Sequence, residues 1–83
     1  MWILLLPNPI KNYGVIKTYI EENITGAELC ITDITGKLIK TFILKPGVNY
    51  IELDNKLLNP GAYIGYVKGN GIENLTKQFI VIQ

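Results

Sequence analysis

Histidine is absent from the 83 residues. That removes the side chain most often used as a general base, and with it every Ser–His or Cys–His nucleophilic pair. The single cysteine, Cys30, sits mid-strand among apolar neighbours and reads as an inert structural thiol. The acids are Glu21, Glu22, Glu28, Asp33, Glu52, Asp54 and Glu73. Glu21-Glu22 reads as loop solvation, and Asp33 precedes a turn, where its carboxylate accepts backbone N–H groups. A calcium loop needs several oxygen ligands at close spacing, and no such run occurs. Gly69-Asn70-Gly71 lacks the following helix that a phosphate cradle requires. Aromatic stacking is the remaining chemistry. Trp2, Tyr13, Tyr19, Tyr50, Tyr63 and Tyr66 are spread along the chain, with Tyr63 and Tyr66 facing opposite ways, so no carbohydrate platform is expected. The residues predict no catalytic group, no metal site and no cofactor.

Composition narrows the partners. Eight lysines and no arginine stand against seven acids, for a net charge of +1. Such a balance offers no footprint for nucleic acid or for an anionic membrane. At 48% hydrophobic and 18% charged, the chain is too apolar for disorder. A domain of this size buries roughly 60–65% of the surface its unfolded form exposes. One cysteine permits no internal disulfide and leaves the compartment undecided. The apolar run Trp2–Leu6 lacks the basic flank, length and cleavage site of a signal peptide, and reads as a first strand.

The elements that carry these residues are strands. Apolar residues never recur at helical spacing over a dozen positions; they come in short β-branched runs between turn residues. Strands are predicted at 3–6, 15–20, 27–33, 38–44, 48–53, 62–68 and 75–82. Pro7-Asn8-Pro9 has two residues without an N–H and is expected to break the first strand and redirect the chain. Asp33-Ile34-Thr35-Gly36 suits a type I turn with Gly36 at positive φ. Lys45-Pro46-Gly47 and Asn59-Pro60-Gly61 place Pro and Gly at successive turn positions, and Gly61 is expected to need a positive φ or a close backbone approach. Gly69-Asn70-Gly71 signals the last hairpin. Alternation puts Leu29, Ile31, Ile51, Leu53, Phe79 and Val81 in the core, with Lys77 on the face of Phe79 and Val81 but near the rim. Seven such strands imply a single all-β domain, an immunoglobulin-like antiparallel β-sandwich.

Four segments, in this order, carry a resemblance: Leu6-Pro7-Asn8-Pro9, the strand and turn from Ile31 to Lys40, Leu58-x-x-Gly61-x-Tyr63, and the final strand led by Lys77, with Gly71 as the hairpin glycine before it. Together they resemble the C-terminal sorting domain (type A) of proteins exported by the type IX secretion system of Bacteroidetes. The chain departs from the family pattern at Thr32, where Tyr is common, and at Gly65, where a larger residue is usual. The resemblance implies that residues 1–83 are one sorting domain at the tail of a larger cargo protein, with Met1 marking where an isolated piece begins. It implies transit through the periplasm, then the cell surface or medium. The implied partners are the translocon or its shuttle proteins and a sortase-like cysteine protease, with no nucleic acid and no small-molecule substrate. The expected recognition residues are Gly61, Tyr63, Gly71, Lys77, Phe79, Val81 and Gln83, the last strand being read at its free end. The competing reading is a non-catalytic immunoglobulin-like binding or spacer module, which predicts clustered exposed aromatics or a metal site. A third is a structural cap, which predicts a large exposed apolar patch.

Overall fold

Period-two alternation of β-branched and aromatic residues produces strands wherever one side chain in two can be buried. In the computed structural model, which describes residues 2–54, 56–70 and 75–82, seven strands form. They are β1 (Trp2–Lys11), β2 (Tyr13–Ile20), β3 (Glu28–Asp33), β4 (Leu38–Ile43), β5 (Gly47–Asp54), β6 (Gly61–Lys68) and β7 (Leu75–Ile82). Hydrogen-bonded neighbours run in the order β4-β3-β6-β7-β1-β2-β5.

β1 makes this order into a sandwich. Its first half pairs antiparallel with β2, from Trp2 opposite Tyr19 to Leu6 opposite Val15. Its far end pairs parallel with β7, Ile10 opposite Val81 and Lys11 opposite Ile82. One layer is therefore β1-β2-β5, and the other is β4-β3-β6-β7 closed by the end of β1. The expectation that Pro7-Asn8-Pro9 breaks the first strand is corrected: β1 runs through it, with a register irregularity between Leu6 and Lys11. Proline is tolerated at such a bulge because no ladder bond is required of its missing N–H. The chain is redirected, as the prolines suggested, but from one sheet to the other.

The two inner faces share one core. Leu5, Ile16, Ile20 and Leu53 come from the three-stranded layer, and Leu29, Ile31, Tyr63, Val67, Phe79 and Val81 from the larger one. Ile51 is half-buried against this core rather than inside it. Thr18 is fully buried on β2, and its hydroxyl donates to the Trp2 carbonyl at 2.8 Å, so burial leaves no orphan group. β3 is buried on both faces, because Cys30 on its outer face is covered as completely as Leu29 and Ile31.

The turns hold as their residues dictate. Gly36 has φ 92° and donates its N–H to the Asp33 carbonyl at 3.1 Å. The Asp33 carboxylate accepts from the Thr35 N–H at 2.9 Å, the Thr35 hydroxyl at 2.6 Å and the Lys37 N–H at 3.1 Å. Gly47 has φ 95°, and the buried Asn49 amide binds the Lys45 N–H and carbonyl across that turn. Gly61 is corrected. Its φ is not in the left-handed region, it is exposed, and an added Cβ would meet nothing nearer than a Tyr63 ring atom at 3.7 Å. The glycine that a close approach does require is Gly14, whose Cβ would sit 2.8 Å from Cγ1 of Ile10.

Candidate recognition surface

β7 is held by side chains on one face and displays those on the other. Its ladder with β6 sets Lys77 opposite Gly65, Phe79 opposite Tyr63, and Val81 opposite Gly61 on the inner face. Five of the expected recognition residues, Gly61, Tyr63, Lys77, Phe79 and Val81, are thus brought together along one pair of strands. Gly71 and Gln83 lie outside the described residues.

These five divide by burial. Phe79 and Val81 are core, and the Tyr63 and Phe79 rings stack with centroids 5.6 Å apart. The Tyr63 hydroxyl donates to the Asn59 carbonyl four residues upstream, tying the entry of β6 to the core. Bonds of this kind, from a strand tyrosine back to upstream backbone, recur in immunoglobulin-like sandwiches. A receptor cannot touch these three side chains without opening the fold, so they position β7. Lys77 shares their face by alternation but is exposed.

The outer face of β7 was not singled out by the sequence reading. Thr76, Gln78, Ile80 and Ile82 all face outward and are exposed, Ile80 by 51% and Ile82 by 40%. Ile34, 72% exposed at the β3–β4 turn, stands over the same end of the sheet. With Ala62, Ile64, Gln78 and Ile80 it lines an open depression of about 490 Å³. Period two alone signals this face, since it is the complement of Lys77, Phe79 and Val81.

β6 accompanies β7 from Leu75 to Val81, and β1 runs parallel on its other side, with Ile10 opposite Val81 and Lys11 opposite Ile82.

Ionisable groups near this surface do little chemistry. The Thr35 hydroxyl, with the Lys37 and Thr35 N–H groups, holds the Asp33 carboxyl below the usual carboxylate range against a smaller opposing effect of desolvation. Tyr66 stands opposite Cys30 across the β3–β6 pair, and its interaction with the Cys30 side chain, with desolvation adding, holds it above the ordinary tyrosine range. Among the described residues no three His, Cys, Asp or Glu side chains converge as a metal site would need.

The aromatic expectation is corrected. Cross-strand pairing sets Trp2 opposite Tyr19 and Lys17 opposite Tyr50 on the outer face of the three-stranded layer. Trp2 and Tyr19 stack at 6.2 Å, and the Lys17 ammonium lies 5.7 Å from the Trp2 ring centre and 5.4 Å from that of Tyr50. Trp2 is 41% and Tyr50 64% exposed. The sequence reading compared Tyr63 with Tyr66; the rings that do share a face lie on β1, β2 and β5, which neighbour one another only through the register.

The last strand of the sandwich is thus anchored by one face and exposed on the other. A family model described as the secretion system C-terminal sorting domain matches residues 4–83. The chain belongs to this family, and it is a sorting signal of the type IX secretion system. No curated protein matches it. Among solved structures, PorZ, an essential bacterial surface component of the type-IX secretion system of Porphyromonas gingivalis, aligns with a TM-score of 0.68 at 19% identity. The alignment covers 98% of this chain and 11% of PorZ, so the likeness is one of fold and the chain spans about a ninth of that protein's length.

Proposed function

We propose that this domain is the tail of a larger secreted protein and acts without chemistry of its own. The cargo enters the periplasm through a signal of its own. The folded sandwich is then bound by the translocon or its shuttle, and a sortase-like cysteine protease afterwards cuts upstream of the sandwich. The address is β7 together with the strand it pairs with, through Gly61, Lys77 and the exposed side chains of β7. Tyr63, Phe79 and Val81 act by holding the strand in place, and Gly71 and Gln83 belong to the same segment. The observation that supports this reading is the division of β7 into a buried inner face and an exposed outer one. A free apolar peptide in the periplasm would aggregate or be degraded; a folded one hides its core and still presents a strand.

The test is a reporter with a Sec signal fused ahead of residues 1–83 in a host with a type IX system. Reporter on the surface or in the medium supports the reading, and reporter held in the periplasm sinks it. The competing binding-module reading draws support from one observation, the Trp2–Lys17–Tyr50 cluster. That cluster lies on the other layer from β7, so the two readings are separable by substitution.

A further inference from the structure

β4 stands at one end of the strand order. Among the described residues its one strand neighbour is β3, and no strand lies on its other side. The ladder fixes which of its backbone groups are spare. The Leu44 N–H donates to the Ala27 carbonyl at 2.9 Å, and bonded pairs alternate along an antiparallel ladder. Lys40 and Phe42 therefore bond to β3, opposite Ile31 and Leu29. Thr41 and Ile43 turn their N–H and C=O groups to the open side. The side chains along this edge are mostly apolar: Leu38 is 54% and Ile43 86% exposed, and Lys40 is the one charge on the strand. Apolar surface continues from Ile43 into an open depression of about 540 Å³, lined also by Val48, Tyr50 and Ile51. β5, at the other end of the strand order, carries Glu52 and Asp54, charges that discourage strand addition.

The β4 edge is complementary to itself. Its regular stretch runs from Lys40 to Leu44, between the register irregularity that precedes Lys40 and Lys45-Pro46. Phe42 is the middle of that stretch. A two-fold axis through Phe42 sets Thr41 of one copy opposite Ile43 of the other, and the reverse, so the spare groups of each copy meet those of its mate. The half-buried Phe42 side chains, already packed on the core, then face each other across the seam. Lys40 falls opposite Leu44, about 13 Å along the strand from the second Lys40, so the like charges stay apart.

We propose that β4 pairs with β4 of a second copy of this chain, antiparallel about Phe42. Such a contact is closed and stops at two, whereas head-to-tail addition along an apolar edge builds filaments. β3 and β6 stand between β4 and β7, so the dimer leaves the exposed face of both last strands free. The proposal does not depend on the sorting reading. One short edge buries less than the roughly 1,200 Å² of a stable complex, so the dimer is weak and forms at high concentration.

Sedimentation equilibrium of the chain from about 5 µM to about 1 mM should show monomer passing to dimer, with no larger species. A chain that stays monomeric throughout, or that grows without limit, would overturn the proposal. Amide exchange should slow at least tenfold at Thr41 and Ile43 between the two ends of that range, and much less at Phe42, whose N–H is bonded to β3 in the single copy. Protection gained on β5 or β7 instead would overturn it. Ile43→Lys changes a side chain exposed in the single copy, so it should leave the unfolding curve of the dilute protein unchanged and weaken the dimer at least tenfold. Thr41→Pro repeats the test through the backbone, since it deletes an N–H that β3 does not use. An undiminished dimer from either variant, folded, would overturn pairing at β4, and the exchange pattern decides without them.

Discussion

Gly14→Ala tests the packing that fixes β1 against the core. The added Cβ would lie 2.8 Å from Cγ1, 2.9 Å from Cδ1 and 3.2 Å from Cγ2 of Ile10. Real carbon contacts begin near 3.5 Å, so the side chain must move by about half an ångström or more. Ile10 is 1% exposed and β-branched, with a stiff χ1, and it cannot swing into solvent. Overpacking of this kind costs about 1–3 kcal/mol. Alanine gains back about 0.4–1 kcal/mol by restricting the unfolded chain, since Gly14 does not use the left-handed region. The net destabilisation is about 1–2 kcal/mol, or a fall in Tm of roughly 5–15 °C for a domain of this size. Thermal unfolding followed by circular dichroism reads it. Ile10→Val, which deletes the Cδ1 atom, should reduce the cost of Gly14→Ala by about 0.5 kcal/mol or more in a double-mutant cycle. Ile10 pairs with Val81, so the strain falls where β1 grips β7. A Gly14→Ala variant as stable as the parent would refute the close approach.

Other outcomes are expected. Tyr63→Phe removes the hydroxyl bound to the Asn59 carbonyl and should cost about 0.5–1.5 kcal/mol in urea unfolding with ring stacking retained. The folded-state pKa of Asp33 is depressed, so its contribution to stability is present above its unfolded value near 3.8 and is lost as pH falls through the lower folded value. Asp33→Asn should flatten that acid limb of the stability curve, measured by denaturant titration between about pH 5 and pH 2. Trp2→Ala with Tyr50→Ala strips the aromatic face and should leave export of the reporter fusion unchanged; a large loss of export would place recognition on the three-stranded layer instead.

Local chemistry made much of this fold legible. The β7 limits follow from alternation, and the Asp33–Gly36 turn from a carboxylate able to bind the next N–H groups and a glycine able to take φ 92°. What escaped was set by register between distant strands. Pro7 and Pro9 read as a break because a missing N–H is a local fact, whereas the bulge that accommodates it depends on which strand lies alongside. Gly61 looked conformationally special after Pro60, but the backbone there is ordinary and the demand for a small residue fell on Gly14, against Ile10. The aromatic face needed β1, β2 and β5 placed side by side before Trp2, Lys17 and Tyr50 met. For the recognition surface, alternation marked Phe79 and Val81 as inward and Lys77 as near the rim. It could not say which strands flank β7, since that depends on the path of β1 between the two layers.

Lys77 tests the central claim most directly, because among the residues whose burial is described it is the exposed one on the anchoring face of β7. Its ammonium is at the rim, so Lys77→Ala should change stability by under about 1 kcal/mol. The measurement is the fraction of a Sec-targeted reporter, fused ahead of this domain, that reaches the surface or the medium. It is compared between the parent, Lys77→Ala and removal of residues 79–83, with unfolding curves of the isolated domains alongside. The account predicts that Lys77→Ala lowers export while its unfolding curve overlays the parent's, and that the truncation traps the reporter in the periplasm. Export undiminished by both changes would contradict an address carried by β7.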